Sequence, residues 1–176
     1  MEVCCTFKSI VGGVCGSDCR DRKHEVQVVP LQSCTKDIVN HLATWSFSGP
    51  ESEIELILSR AAIFKVPDSL GSMTICPLHR GKLGLGWTRG STRCRIPDVL
   101  SNHGKGKKNV WPKGDRGLGK QDSERVLQKT GVFIAVGSGK IVYNIFIYAS
   151  MLIYNTNSLL LCVLPYQGYV EATAIK

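Results

Sequence analysis

Two cysteines and two histidines lie within residues 76 to 120, a glycine-rich and positively charged stretch with few side chains for a hydrophobic core. The four are Cys76, His79, Cys94 and His103, in the pattern Cys-x2-His-x14-Cys-x8-His. Thiolate and imidazole are ligands that Zn²⁺ takes in tetrahedral structural sites, and two intervening residues suit the first pair. We therefore predict one structural Zn²⁺ bound by these four residues. The alternative is that the cysteines are small buried hydrophobic residues and the histidines lie at the surface.

A second group of candidate ligands precedes this stretch. Its members are Cys4, Cys5, Cys15, Cys19, His24 and Cys34. Within it, the spacing Cys15-x3-Cys19-x4-His24 would form one corner of a metal site, and Cys4, Cys5 or Cys34 would supply the fourth ligand. This spacing is loose, and a flexible leader with ordinary thiols explains it as well.

The positive charge of the chain is concentrated in residues 76 to 120. Eleven Lys or Arg residues and two Asp residues give this window a charge of +9, whereas the whole chain carries +8. A local basic surface with interspersed tryptophans is typical of nucleic-acid binding, although a charge run is also often a solvated face. We predict that DNA or RNA contacts Arg80, Lys82, Trp87, Arg89, Arg93, Arg95, Lys105, Lys107, Lys108, Lys113 and Arg116. An anionic membrane surface is the alternative partner.

The composition indicates one small domain with appendages. The chain has 176 residues, of which 18 are Gly and 7 are Pro, so long regular elements should be few. We predict an α+β fold that is loop-rich and zinc-stabilised. Three regions are expected: a weakly ordered, Cys-containing leader over residues 1–40, a central basic Cys/His domain over 41–139, and an uncharged hydrophobic C-terminal segment over 140–176.

Local patterns predict two helices in the central region. The first begins at the capping-box pair Ser48 and Glu51 and continues with apolar side chains at helical spacing. The second spans residues 122–130, and Gly131 is placed to end it.

Two strands are predicted from β-branched residues and alternation, one over residues 25–30 and a buried one over residues 131–137. The segment Gly137-Ser138-Gly139-Lys140 resembles the end of a P-loop. We reject an ATP site, because Ile134 stands where an earlier glycine is required and Ile141 follows the lysine.

Residues 141–170 contain no charged residue and no histidine. A transmembrane helix over residues 141–164 would explain this composition, although asparagines near its middle are costly in lipid. A β-hairpin that turns at residues 155–158 is a second explanation. A third is translation of a retained intron beginning near Gly139-Lys140, because the composition changes abruptly there.

The sequence favours a binding protein over an enzyme. It contains no catalytic motif, and nothing in it implies a small-molecule substrate. Without a recognisable export signal, we expect an intracellular protein of the nucleus or cytoplasm, or a membrane protein anchored through residues 141–164. The predicted function is a non-catalytic, zinc-stabilised nucleic-acid-binding module with a basic, Gly-rich face. The alternatives are a single-pass membrane-anchored protein with a basic cytoplasmic domain and a protein-interaction domain without independent activity.

Overall fold

The computed structural model describes residues 4–17, 26–96 and 112–141, in which short helices alternate with two small sheets. The helices are α1 (Thr6–Val11), α2 (Val39–Trp45), α3 (Glu53–Arg60), α4 (Pro77–Leu83) and α5 (Lys120–Thr130). The strands are β1 (Val29–Pro30), β2 (Thr74–Ile75), β3 (Arg116–Gly117) and β4 (Gly139–Lys140). The predicted α+β class is thereby confirmed for the described residues.

Both sheets are antiparallel pairs of two-residue strands. In the first, Val29 of β1 lies opposite Ile75 of β2, and the amide of Leu31 extends the pairing to the carbonyl of Met73 at 2.8 Å. Such short strands need support from side chains packed on them, because an isolated hairpin is barely stable in water. The residues around β2 supply that support.

The largest hydrophobic cluster surrounds β2 and joins it to α1, α3 and α4. Phe7 of α1, Ile57 of α3 and Ile75 of β2 are all fully buried in it. Residues 4–17 therefore pack in the same core as the centre of the chain, and contacts cross the expected domain boundary at residue 40. The boundaries themselves stay predictions.

The first predicted helix forms, but its start lies further along the chain than expected. Ser52, not Ser48, is the N-cap of α3, and its hydroxyl accepts a hydrogen bond from the amide of Glu55 at 3.2 Å. The carboxylate of Glu55 in turn accepts from the amide of Glu51 at 3.0 Å. Ser48 and Ser52 can both act as the cap of a helix, and α3 begins at the later of the two.

The second predicted helix is confirmed as α5, which begins two residues earlier than expected. Gly131 ends it in the left-handed conformation, with φ of 70°. The buried strand predicted over residues 131–137 is wrong. The carbonyl of Ile134 accepts a hydrogen bond from the hydroxyl of Ser123, and that of Val136 accepts from Arg60 Nε. Side chains thus donate the hydrogen bonds to these backbone carbonyls that a neighbouring strand would otherwise supply.

Most of the hydrophobic C-terminal segment, residues 142–176, lies outside the described residues, so the span, hairpin and intron interpretations stay predictions. Within the ranges that the structure describes, no helix combines the length and hydrophobicity that crossing a bilayer requires.

Candidate metal centre

Four potential metal ligands converge where α1, the loop after it and the start of α4 meet. The ligand atoms of Cys5, Cys15, Cys76 and His79 all lie within 4.8 Å of one another. His79 Nδ1 is 3.2 Å from Cys5 Sγ and 3.1 Å from Cys76 Sγ, and the sulfurs of Cys5 and Cys15 are 3.7 Å apart. Cys15 is half-buried and the other three are buried. The group can hold a metal ion.

The spacing of these atoms resembles a tetrahedral coordination shell. Bond lengths of about 2.3 Å to sulfur and about 2.0 Å to nitrogen imply edges of about 3.8 Å between sulfurs and about 3.5 Å between sulfur and nitrogen. The separations in the structure differ from these edges by half an ångström or less for the three pairs that are in direct contact. A cation at the centre would require only small side-chain adjustments.

Three segments of the chain, distant in sequence, hold the ligands in place. Cys5 is the N-cap residue of α1, and Cys76 follows β2 directly as the N-cap residue of α4. The third residue after the N-cap lies beside it in the first helical turn, so the Cys-x2-His spacing places His79 next to Cys76. The loop with Cys15 is docked on α4 by the amide of Leu78, which donates to the carbonyl of Gly16 at 3.0 Å.

A hydrogen bond on the far side of the His79 ring sets which nitrogen faces the sulfurs. Nε2 lies 3.0 Å from the carbonyl oxygen of Gly12, which can only accept, so Nε2 carries the proton. In this tautomer of the neutral ring, the lone pair of Nδ1 is available to a cation between Cys5 and Cys76. Metal-binding histidines almost always donate their other ring nitrogen to a carbonyl or carboxylate in this way.

Backbone amides also point at two of the sulfurs. The amide of Cys5 donates to Cys15 Sγ at 3.2 Å, and the amide of His79 donates to Cys76 Sγ at 3.4 Å. Burial raises the pKa of the Cys76 thiol, but hydrogen bonds from His79, Gly16 and the neighbouring thiols outweigh it and lower the pKa below its usual value. Burial, with the nearby thiolates, raises the pKa of Cys15 to about 11. Without a cation, the negative charge of the group is therefore favoured at Cys76.

Two of the four ligands predicted from the sequence, Cys76 and His79, are in this group. Cys94 is buried in a different hydrophobic cluster, between α5 and the segment before β4, and His103 lies outside the described residues. The predicted ligand set as a whole stays a prediction. From the N-terminal candidates, the structure brings in Cys5 and Cys15.

The two remaining N-terminal candidates that the structure describes, Cys4 and Cys34, are not in the group. Cys4 is exposed, and Cys34 is buried elsewhere in the largest cluster. Cys19 and His24 lie outside the described residues. Sequence reasoning treated the two ends of the site as separate motifs because 60 residues intervene between Cys15 and Cys76. The burial of Phe7 in the cluster around β2 and the hydrogen bond from the amide of Leu78 to the carbonyl of Gly16 bring them together.

The residues predicted to bind nucleic acid divide into three sets. Arg80, Trp87 and Arg89 make contacts inside the protein: Arg80 with Glu53, Trp87 under the guanidinium of Arg60, and Arg89 with the carbonyls of Gly137 and Trp45. Exposed at the surface are Lys82, Arg93, Arg95, Lys113 and Arg116. Outside the described residues are Lys105, Lys107 and Lys108.

Comparison with models of protein families, with curated proteins and with solved structures gives no match for this chain. The class of protein is therefore defined by its own fold and site. It is a small α+β protein with a largely buried Cys3His group that can hold a metal ion.

Proposed function

We propose that the chain is a non-catalytic binding module whose fold depends on one structural Zn²⁺ held by Cys5, Cys15, Cys76 and His79. The observation that carries this proposal is the hydrogen bond from His79 Nε2 to the carbonyl of Gly12, because it leaves Nδ1 free to coordinate beside two thiols.

The donor set favours zinc and a structural role. Three thiolates and one imidazole suit Zn²⁺, which accepts a tetrahedral shell without geometric preference of its own. Four protein ligands close that shell, whereas a catalytic zinc keeps one position for water or substrate. Three of the four side chains are buried, which also restricts access by a substrate.

The metal content of purified variants tests the ligand set. We expect one zinc per wild-type chain, and its loss or strong reduction in Cys15→Ala, which removes the one ligand of the four that is only half-buried. The matched control is Cys94→Ala, which removes a thiol that the structure places in another cluster and should retain one zinc. Retention of zinc by Cys15→Ala together with its loss from Cys94→Ala would instead favour the set with His103.

A second function, nucleic-acid binding, is favoured by the placement of four exposed cations. Arg93 and Lys113 form an antiparallel backbone β-bridge, and Arg116 of β3 pairs with β4. The amide of Arg95 donates to the carbonyl of Gly139 in β4, so the four residues lie on neighbouring backbone segments. Among the described residues none of the four has an ion-pair partner, although Asp115 is exposed beside them in sequence. We propose that these four, with Lys82, are the residues available to phosphates.

Salt dependence tests this second function. Each single-strand phosphate contact contributes a slope of about −0.7 to log K against log salt, so contacts from all five residues give about −3.5. Arg93→Gln and Arg116→Gln should each weaken binding and make the slope less steep by about 0.7. Lys65→Gln, which removes an exposed charge outside the set, should leave the slope unchanged. Affinity that does not depend on salt would overturn the proposal.

A further inference from the structure

A cavity of about 380 Å³ lies beside the metal centre, between the start of α3, α4 and the residue segments that flank β1. Its polar lining comes from Gln27, Lys36, Glu53 and Arg80, and its apolar lining includes Ile75 and Leu85. This volume is at the lower end of the range for small-molecule sites. The cavity is not used by the metal centre, although Cys76 forms part of its wall.

Arg80 is held in this cavity by a buried carboxylate. Glu53, only 1% exposed, accepts hydrogen bonds from Arg80 Nε at 2.8 Å and Arg80 Nη2 at 2.7 Å. The same carboxylate accepts from the backbone amide of Lys36 at 2.8 Å. These bonds occupy one edge of the guanidinium and fix its plane, while Nη1 has no hydrogen-bond partner among the described residues. A guanidinium fixed in this way is a preorganised donor.

The hydrogen-bond donors around the cavity suit an oxyanion. The charges of Glu53 and Arg80 offset each other, and the ammonium group of Lys36 adds a positive charge to the lining. The proposed zinc offsets part of the negative charge of the Cys76 thiolate in the wall. Within the described part of the chain, Lys36 has no ion-pair partner, and the side-chain amide of the exposed Gln27 makes no hydrogen bond. A guanidinium edge, an ammonium and a carboxamide together supply donors to an oxyanion with more than two oxygens.

We propose that this cavity binds a small phosphomonoester, with its phosphate at Arg80 Nη1, Lys36 and Gln27 and its organic part against Val29 and Leu85, the half-buried apolar residues of the lining. The cavity is larger than an inorganic phosphate needs, and its apolar lining has no role in binding a bare ion. The organic group therefore contributes to affinity.

Calorimetric titration of the full, zinc-loaded chain at constant ionic strength tests the site. The probes are inorganic phosphate, phenyl phosphate and phenol. We expect phenyl phosphate to saturate one site, to bind more tightly than inorganic phosphate, and to bind far more tightly than phenol. Absence of saturation by both phosphate probes up to about 10 mM would overturn the proposal. Equal affinity for phenol and phenyl phosphate would do so as well, since the charged donors would then have no role.

Two lysine variants locate the binding. Lys36→Gln removes the ammonium but keeps the backbone amide that bonds to Glu53, so the fold and zinc content should be unchanged. It should raise the Kd for phenyl phosphate about fivefold or more. Lys65→Gln removes an exposed lysine that does not line the cavity, and should leave the Kd within about twofold. Equal weakening by both variants would show that the phosphate binds through general surface charge and would contradict the proposed site.

Discussion

Glu53 is a charged residue that the fold buries almost completely, at 1% exposure. Burial raises the pKa of its carboxyl group, but the hydrogen bonds from Arg80 and from the amide of Lys36 outweigh this and lower the pKa below its usual value. A buried carboxylate is tolerated only with such partners, because an unpaired charge in the interior costs several kcal/mol. The ion pair joins α3 to α4 and so stabilises the helix that carries His79.

Glu53→Gln should lower the free energy of unfolding by about 3 kcal/mol, because it leaves the guanidinium of Arg80 without its anion. The value lies at the low end for buried pairs, since the Arg80 side chain is 25% exposed. Urea unfolding at neutral pH measures it. Glu55→Gln in the same helix is the control: its pair with Lys120 is 3.4 Å long and partly exposed, so the cost should be below about 1 kcal/mol. Equal costs for both variants would contradict the assigned role of Glu53.

His41 should make the stability of the protein depend on pH in the weakly acidic range. Burial, with the nearby charge of Arg60, lowers the pKa of His41 to about 4, and Arg60 Nη2 donates to its Nε2 at 2.9 Å. In the unfolded chain the ring has a pKa near its usual value of about 6.5. As the pH falls from about 6.5 towards 4, the unfolded state therefore takes up a proton that the folded state does not, and stability decreases.

The measurement is the unfolding free energy of wild type and His41→Asn at several pH values between 7 and 4. Other acid-sensitive groups, including Glu53 and the metal ligands, are common to both proteins, so the difference between the curves isolates His41. We expect wild type to lose more stability than the variant, with a slope difference below the ceiling of about 1.4 kcal/mol per pH unit because the ring is half-buried. Parallel curves would show that His41 does not titrate in the predicted manner.

At the scale of elements, the start of α3 depends on one hydroxyl. Ser52→Ala removes the acceptor for the amide of Glu55 and should destabilise the protein by about 1 kcal/mol. Ser48→Ala is a matched exposed serine that the sequence pattern also offered as a cap, and it should change stability by less than about 0.5 kcal/mol. Thermal unfolding of the two variants compares them directly. A larger loss from Ser48→Ala would mean that the helix begins earlier than the structure places it.

Element prediction from this sequence succeeded where the signal was local. Gly131 predicts the end of α5 because few other residues adopt its left-handed conformation without cost. It failed for residues 131–137. Ile134 and Val136 are buried as alternate residues of a strand would be, but their carbonyls accept hydrogen bonds from Ser123 and Arg60 and not from another strand. A long-range side-chain hydrogen bond leaves no pattern in the neighbouring residues.

The candidate site follows the same rule. The pair Cys76 and His79 could be recognised because they are three residues apart, at the N-cap and in the first turn of α4. The partnership with Cys5 and Cys15 depends on contacts across about 60 residues, chiefly the packing of Phe7 against the β2 region. Spacing alone gave no means of choosing these two thiols over Cys94 and the other cysteines.

At the scale of the whole molecule, the described residues are built around separate hydrophobic clusters, and the proposed zinc belongs to only one of them. α1 has six residues and is joined to the rest through Phe7, contacts with β2 and the cysteine group. α5 packs in another cluster, with Leu118 and Ile134. A helix as short as α1 does not persist alone in water, so its order depends on these attachments.

Removal of zinc should therefore destabilise the protein unevenly. Metal that binds only the folded state stabilises it by about 4 kcal/mol at a free concentration 1,000 times its Kd, and a chelator abolishes this contribution. We expect a large fall in the unfolding midpoint, reversed by added zinc.

Hydrogen exchange locates the effect of the metal. Under native conditions, amide hydrogen exchange should accelerate most in α1 and the loop with Cys15, and least in α5, because α5 packs in a cluster that contains none of the four ligands. Even without chelator, Cys15→Ala should show the stability and the exchange rates of the metal-free wild type. Cys94→Ala should bind zinc and respond to the chelator as fully as the wild type does. If exchange instead accelerated first in α5, or if α1 were equally protected with and without metal, the cation would not be what holds the N-terminal segment on the core.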